Sequence, residues 1–124
     1  MKKIAVMLGL VSCYASAHSM QPTIKEYVAF ENTMHKVMLM NSSKKSQCYN
    51  VYIDGNLAMR PKICLDVNKR EYINVVVRTP PNQKKITQVC TENTDHTNRS
   101  KRFQLCTQIV TYFPQKQLQS ALSE

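Results

Sequence analysis

The chain has 124 residues, and its 17 Lys and Arg against 8 Asp and Glu give it a net charge of +9. This length allows one domain of ordinary size but not two. Only two glycines are present, which excludes a glycine-rich phosphate-binding loop. The excess of positive charge predicts that charged partners, if any, are anionic.

The first 17 residues have the pattern of a secretory signal peptide. Lys2 and Lys3 precede an apolar run over residues 4–11, and small residues follow at 15–17. The apolar run is shorter than the about 20 helical residues that cross a bilayer, and a start with two lysines is typical of bacteria. We therefore predict export to the periplasm or to the exterior of a bacterial cell.

Two cleavage sites fit this N-terminus. Residues 15–17 are Ala-Ser-Ala, which suits a signal peptidase that cuts before His18. Residues 10–13 are Leu-Val-Ser-Cys, which resembles a bacterial lipobox. In that case Cys13 is the lipidation site and anchors the domain to the outer membrane. Both alternatives stay open, and both leave four later cysteines to pair with one another.

These four cysteines form two pairs of equal spacing. Cys48 and Cys64 are 16 positions apart, and so are Cys90 and Cys106. Small exported domains commonly depend on disulfides. The chain has no Cys-x2-Cys pair and no histidines at ligand spacing. We therefore predict two structural disulfides and no metal site.

Short runs of alternating apolar residues, separated by turn residues, predict an all-β chain. In the clearest run, residues 71–78, Ile73, Val75 and Val77 form one apolar face. A polar loop over 92–102 joins the last two strands. The predicted strands cover residues 25–31, 35–41, 47–53, 71–78, 85–91 and 103–113.

Hairpin geometry predicts how the cysteines pair. If a tight turn is centred on Gly55 and Asn56, Cys48 lies opposite position 63, and one β-bulge at Arg60-Pro61 moves its partner to Cys64. A hairpin between the last two strands likewise brings Cys90 close to Cys106. Both bridges are then staples between neighbouring strands.

About seven short strands with frequent turn signals predict an antiparallel immunoglobulin-like sandwich. A small closed β-barrel is the alternative, because it needs the same alternation. The predicted organisation is a signal peptide (1–17), an N-terminal linker (18–24), the sandwich domain (25–114) and a flexible or short helical tail (115–124).

Part of the chain resembles a known family. The run VMLMNSSKKSQCYNVYIDG over residues 37–55, followed by REYINVVVRTPPN over 70–82, resembles the N-terminal immunoglobulin-like domain of periplasmic pilus-assembly chaperones. The likeness covers about half of the chain, and those chaperones have two domains and about twice its length. It implies the sandwich fold, and a partner bound through an edge strand that completes the partner's sheet.

The last predicted strand has a pattern compatible with such an edge. Its large apolar residues Phe103, Leu105, Ile109 and Phe113 fall on one face and are the candidate partner-binding residues. The alternative is that this face is simply the buried side of a core strand. The expected partner is another cell-envelope protein.

Charge suggests a second kind of partner. Without Lys2 and Lys3, 15 Lys and Arg remain against 8 Asp and Glu, a net charge of about +7. The candidate anion-binding residues, all in predicted turns or loops, are Lys84, Lys85, Arg99, Lys101 and Arg102. They would suit an anionic surface polymer or outer-membrane lipid headgroups, or they only keep the loops soluble. Nucleic acid is not expected, because the tyrosines lie mostly in predicted strands away from these clusters.

No catalytic residue and no cofactor is predicted. His35 and His96 invite comparison with an acid–base pair, but no nucleophile with a matching base accompanies them. We expect a non-catalytic exported interaction domain of the cell envelope, an accessory part of a pilus, secretion or conjugation apparatus. The alternative is a basic binder of anionic polysaccharide, lipid headgroups or nucleic acid.

Overall fold

The computed structural model describes residues 18–94 and 104–122. Within these ranges the chain forms eight β-strands and one C-terminal helix. In chain order the elements are β1 (His18–Met20), β2 (Ile24–Tyr27), β3 (Asn32–Asn41), β4 (Gln47–Ile53), β5 (Asn56–Leu65), β6 (Arg70–Arg78), β7 (Lys84–Asn93), β8 (Gln104–Tyr112) and α1 (Gln115–Leu122).

The strands form two sheets that pack face to face. One sheet has three strands in the order β1-β3-β6, and the other has five in the order β2-β8-β7-β4-β5. All the pairings are antiparallel except that of β2 with β8, which is parallel. The predicted immunoglobulin-like sandwich is confirmed, and the barrel alternative is wrong because the two sheets remain separate.

The core lies between the sheets and is built by alternation along each strand. From the three-stranded sheet, inward residues such as Leu39 and Val75 are almost completely buried, and from the five-stranded sheet Tyr49 and Ile109 are. The buried core comprises Val37, Leu39, Tyr49, Val51, Ile63, Leu65, Ile73, Val75, Val77, Val89 and Ile109. The predicted apolar face of 71–78 is therefore the core face of β6.

Both predicted disulfides are present. Cys48 bonds Cys64 with their Cα atoms 3.9 Å apart, and Cys90 bonds Cys106 at 4.0 Å. Each pair sits directly opposite in its antiparallel ladder, β4 with β5 and β7 with β8. The bridges lie on the outer face of the five-stranded sheet, because the residues next to them along each strand point into the core.

The first hairpin differs in detail from its prediction. The paired residues Ile53 and Asn56 enclose a two-residue turn of Asp54 and Gly55, both with positive φ, as tight hairpins require. The ladder then shifts between Asn50 and Tyr52. The turn is thus one residue earlier than predicted, and β5 contains three extra residues instead of one.

The segment 18–24, predicted as a linker, is part of the sandwich. His18 to Met20 pair with Asn41 to Leu39 as strand β1, and β2 begins at Ile24. His18 is completely buried. The three residues His-Ser-Met are too few to show the alternation that indicates a strand, so the pairing with β3 was not visible locally. The predicted signal peptide and Cys13 lie outside the described residues.

Candidate functional site

Only the first half of the last strand, β8, is an edge strand, which corrects the sequence prediction. β7 pairs with β8 over its full length, and β2 covers the other side of β8 from Ile109 to Tyr112. Ile109 and Phe113 point into the core and are buried. Hence neither is available to a partner. Phe103 lies outside the described residues, and Leu105 is half-buried.

The first half of β8, Gln104–Gln108, still has a free edge in the part of the chain that the structure describes. The direction of its backbone groups follows from two hydrogen bonds at the far end of the strand. The Phe113 N–H donates to the Gln83 carbonyl on the β7 side, whereas the Tyr112 carbonyl accepts from the Val28 N–H on the β2 side. Because successive residues alternate, Gln104 and Cys106 direct their N–H and C=O groups toward the free edge.

A cleft runs beside this edge, where the chain crosses from β1 in one sheet to β2 in the other. Its volume is about 400 Å³. We call it the crossover cleft and define it by its lining residues, Met20, Gln21, Pro22, Thr23, Gln88, Leu105, Cys106, Thr107 and Gln108. None of these side chains carries a charge, so recognition here would depend on backbone hydrogen bonds and apolar contact.

Hydrogen bonds fix the wall of the cleft that the crossover forms. The Thr91 hydroxyl lies 2.9 Å from His18 Nε2 and donates to Met20 Sδ at 3.2 Å, which attaches β1 to β7 of the opposite sheet. Gln21 donates its N–H to the Met38 carbonyl and accepts from the Met38 N–H through its side chain. Hydrogen bonds therefore attach the crossover to both sheets up to Gln21. The next residue, Pro22, has no backbone N–H that would need a partner.

His18 is a titratable residue of β1, the strand that leads into this wall. Burial lowers the pKa of His18 below 6.5, and a hydrogen bond that the ring donates to the Thr91 backbone opposes this shift only in part. The ring also packs on Tyr49, with ring centroids 4.6 Å apart, and burial raises the pKa of Tyr49 to about 12. Both side chains are thus neutral at pH 7 and belong to the core that supports the cleft.

A second concave site lies on the outer face of the five-stranded sheet, near α1. Its volume is about 560 Å³. We call it the lysine groove; its lining residues are Lys25, Glu26, Tyr27, Lys84, Val110, Thr111, Tyr112 and Gln117. Tyr27 and Tyr112 meet edge to face at 6.1 Å. This groove brings Lys84 together with Lys25, a residue that the sequence did not single out.

The predicted anion-binding residues do not form one patch in the described structure. Lys84 pairs with Tyr112 on the outer face, while Lys85 pairs with Thr111, whose side chain is buried on the inner face. Neighbours along a strand point to opposite faces. Arg99, Lys101 and Arg102 lie outside the described residues.

Of the two histidines compared above with an acid–base pair, only His35 lies in the described residues. His35 is buried, with Nε2 at 2.7 Å from the Thr33 hydroxyl and Nδ1 at 3.3 Å from Glu26. His96 lies outside the described residues. No group of three or more His, Cys, Asp or Glu that could hold a metal occurs within residues 18–94 and 104–122. The same ranges contain no helix long and apolar enough to cross a membrane.

Comparison of the sequence with protein families and with curated proteins gives no match. Solved structures do match the fold. The chaperone DraB of E. coli is 14% identical, with a TM-score of 0.58, and the match covers 79% of this chain and 55% of DraB. A PapD-like domain of human CEP192 is 8% identical, with a TM-score of 0.64, and is covered to 96% by 91% of this chain.

A third similar structure is a chaperone–tip adhesion subunit complex, CsuC–CsuE, from the archaic chaperone-usher pili of Acinetobacter baumannii. The match is 12% identical, with a TM-score of 0.58, and covers 80% of this chain and 58% of the other. This chain thus spans just over half the length of the chaperones that it matches. The resemblance to pilus chaperones is confirmed as one of fold, that of a PapD-like immunoglobulin sandwich.

Proposed function

We propose that the chain is a non-catalytic, exported interaction domain that binds an extended segment of another cell-envelope protein along the free half of β8. The observation that carries the proposal is the backbone of Gln104 and Cys106 beside the crossover cleft, which no strand in the described part of the chain covers on that side. A partner strand laid in the cleft would receive these hydrogen bonds and continue the five-stranded sheet. Apolar contact would come from Leu105 and Met20.

Three further features support this role. The described fold is that of periplasmic pilus chaperones, and the CsuC structure is a complex with a pilus subunit. Two disulfides favour an oxidising compartment such as the periplasm. The predicted signal peptide would deliver the chain there. An accessory part in the assembly of a pilus or a related envelope apparatus is the role that these features favour.

Leu105 is the side chain with which to test the proposal. It lines the cleft and is half-buried, whereas a charge at the completely buried Ile109 would unfold the domain and report nothing on binding. Leu105→Glu should abolish capture of the envelope partner from periplasmic extracts, while the matched variant Leu105→Met should retain it. Mass spectrometry identifies the partner, and thermal unfolding confirms that both variants fold.

Hydrogen exchange on the purified complex supplies the decisive readout. Partner binding should slow exchange of the amides of Gln104 and Cys106, since their N–H groups would enter a new ladder. If the captured partner leaves both amides unprotected, or binds Leu105→Glu as tightly as the parent, the proposed mode is wrong.

The lysine groove favours a second candidate function, the binding of an anionic polymer or lipid headgroup. Lys25 and Lys84 would contact the anion, with the nearly perpendicular rings of Tyr27 and Tyr112 beside them. The test is retention on heparin–agarose and on phosphatidylglycerol vesicles. Combined Lys25→Gln and Lys84→Gln should reduce the salt concentration needed for elution. The same change at the exposed Lys62 and Lys69 serves as a control of equal charge and should have the smaller effect.

A contribution of the basic loop predicted from the sequence can be tested separately. Neutralising Arg99, Lys101 and Arg102 together should also weaken retention if the loop takes part. Retention that neither set of substitutions changes would remove the anion-binding function.

A further inference from the structure

In the described part of the chain, the opposite side of the sandwich also has a free strand edge, that of β6. Within the described residues β6 pairs only with β3. The Thr79 N–H donates to the Glu31 carbonyl at 2.7 Å, and the Asn41 N–H donates to the Lys69 carbonyl at 3.0 Å. The odd-numbered residues of this stretch therefore face β3. By alternation, Tyr72, Asn74 and Val76 direct their N–H and C=O groups away from it.

These backbone groups face a groove between the ends of the two sheets. The other wall is the irregular stretch of β5, which is itself the last strand of the five-stranded sheet. The groove has a volume of about 380 Å³ and is lined by Tyr72, Asn74 and Val76 on one side and by Ile53, Met59 and Ile63 on the other. An edge strand next to an apolar groove is a template for a further strand.

Apolar side chains continue from the groove onto the outer face of the three-stranded sheet. Val76 is 71% exposed and pairs with Met34, which is 60% exposed. Tyr72 is 49% exposed and pairs with Met38. Lys36 and Asn74 lie between these two apolar pairs. Large exposed apolar side chains grouped at one sheet edge suit a contact with another molecule.

The charged side chains that β3 and β6 direct outward are all basic, although Glu31 pairs with one of them, Arg78. The outward-facing residues of β3 and β6 include Lys36, Arg70 and Arg78, and none of them is acidic. Arg78 bonds Glu31 through Nε, yet its side chain remains 75% exposed. A strand added at this edge would therefore be favoured by acidic side chains near its two ends.

A second copy of the chain fits this edge poorly. An antiparallel pair of β6 strands about Asn74 would place Tyr72 against Val76, which is favourable, but it would also place Arg70 directly against Arg78 at both ends. Like charges directly opposite destabilise a strand pair. The positive net charge of the chain adds to this repulsion.

We propose that the free edge of β6 binds an extended acidic segment of another protein. That segment forms a strand beside β6, with apolar side chains next to Tyr72 and Val76 and carboxylates next to Arg70 and Arg78. The partner strand therefore needs five residues at alternate positions: an acidic residue at each end, an apolar residue next to each of these, and any residue in the middle. The site is independent of the β8 edge, so that one domain could hold two partners, one on each side of the sandwich.

A synthetic nonapeptide, Asp-Thr-Val-Thr-Thr-Thr-Val-Thr-Asp, tests the inference with the whole chain. Its pattern is the same in both directions, so it suits parallel and antiparallel addition. In NMR titration it should shift the amide signals of β6 and slow hydrogen exchange at Tyr72, Asn74 and Val76. A control peptide with Lys in place of both Asp should bind at least about tenfold more weakly, because it would oppose Arg70 and Arg78.

Asn74→Pro removes one free N–H without breaking a bond to β3, and proline is tolerated at such an edge. It should weaken the acidic peptide about tenfold, whereas Asn74→Ala, which keeps the N–H, should bind within about twofold of the parent. If Asn74→Pro does not fold, Val76→Asp at an exposed position gives the same test and should abolish binding.

Three results would overturn the inference. The first is equal binding of the acidic and the lysine peptides. The second is a set of amide shifts that lies on β8 and not on β6. The third is self-association of the chain that Asn74→Pro abolishes, since this would make a second copy the occupant.

Discussion

Several polar side chains are buried between the sheets, and their protonation or pairing affects stability. His18 is completely buried against Thr91 and Tyr49, and its pKa lies below 6.5 because burial disfavours the imidazolium. The unfolded chain therefore takes up a proton more readily at this site than the folded chain does.

This difference predicts a pH dependence with a definite sign. The contribution of His18 to stability is complete above about pH 6.5 and is lost as the pH falls below that value, by up to about 1.4 kcal/mol per pH unit. Urea unfolding at pH 7.5, 6.0 and 5.0 measures it. A His18→Gln variant should be less stable at pH 7.5 but should lose less on acidification. An equal loss in both proteins would assign the effect to other groups.

Thr87 and Thr107 are polar residues whose burial should lower stability. Their hydroxyls are buried and have no hydrogen-bond partner among the described residues. Thr87→Val or Thr107→Val keeps the shape of the side chain and should raise the free energy of unfolding by about 1 kcal/mol, because an unpaired hydroxyl is costly to bury. Thr111→Val is the matched control and should destabilise, since that hydroxyl bonds Thr79 at 2.8 Å. Urea denaturation distinguishes the two outcomes.

At the scale of the elements, the disulfides hold two hairpins that differ in regularity. β7 and β8 pair without interruption from Lys84 to Glu92. In the hairpin of β4 and β5, the register set by the turn holds as far as Tyr52 and is shifted from Asn50 onward. The turn alone therefore does not bring Cys48 opposite Cys64, and the bridge fixes this pairing. Each bridge also reduces the conformational entropy of the unfolded chain.

Removal of either bridge should therefore lower stability. Each closes a loop of 16 residues, for which chain entropy predicts a loss of about 3 kcal/mol. The paired variants Cys48→Ala with Cys64→Ala, and Cys90→Ala with Cys106→Ala, should both unfold at lower urea concentration. An unchanged midpoint in either variant would contradict this account. Peptide mapping that joins Cys48 to Cys90 would contradict the hairpin pairing itself.

At the scale of the whole molecule, Asn41 joins the two sheets. It ends β3 in the three-stranded sheet, is completely buried, and donates its side-chain N–H groups to the Leu65 carbonyl at 2.9 Å and the Lys45 carbonyl at 3.0 Å. Its side-chain oxygen accepts from Ser43. One amide thus connects β3, the β3–β4 turn and the end of β5.

Asn41→Leu should cost about 2–4 kcal/mol, because it leaves buried carbonyls without their donor. Chemical denaturation measures the loss. Asn32→Leu, at the exposed start of the same strand, is the matched control and should change stability by less than about 0.5 kcal/mol. Equal effects at the two positions would show that the connection between sheets contributes little.

The free edges are also a property of the whole molecule. Among the described strands, the order leaves half of β8 open on one side of the sandwich and β6 open on the other. The first edge lies beside an uncharged cleft and the second beside basic and apolar side chains. The same backbone geometry would therefore select partners of different composition at the two edges.

The sequence by itself determined the all-β class, most strand positions and both disulfides. These follow from short-range rules: alternation identifies a strand such as 71–78, and a two-residue turn places Cys48 near Cys64 with only a small error in register. Lys84 and Lys85 show the limit of such rules, since their adjacency suggested one basic patch but the pleat sends them to opposite faces.

Only the tertiary structure decided which strands have free edges, because edges depend on contacts between residues far apart in the chain. β1 is a strand only because it pairs with β3, and the parallel pairing of β2 closes the edge of β8 from Ile109 to Tyr112. The apolar pattern of the last strand was correctly seen. Whether that pattern faces a partner or the core is determined by the opposite sheet, which no local pattern contains.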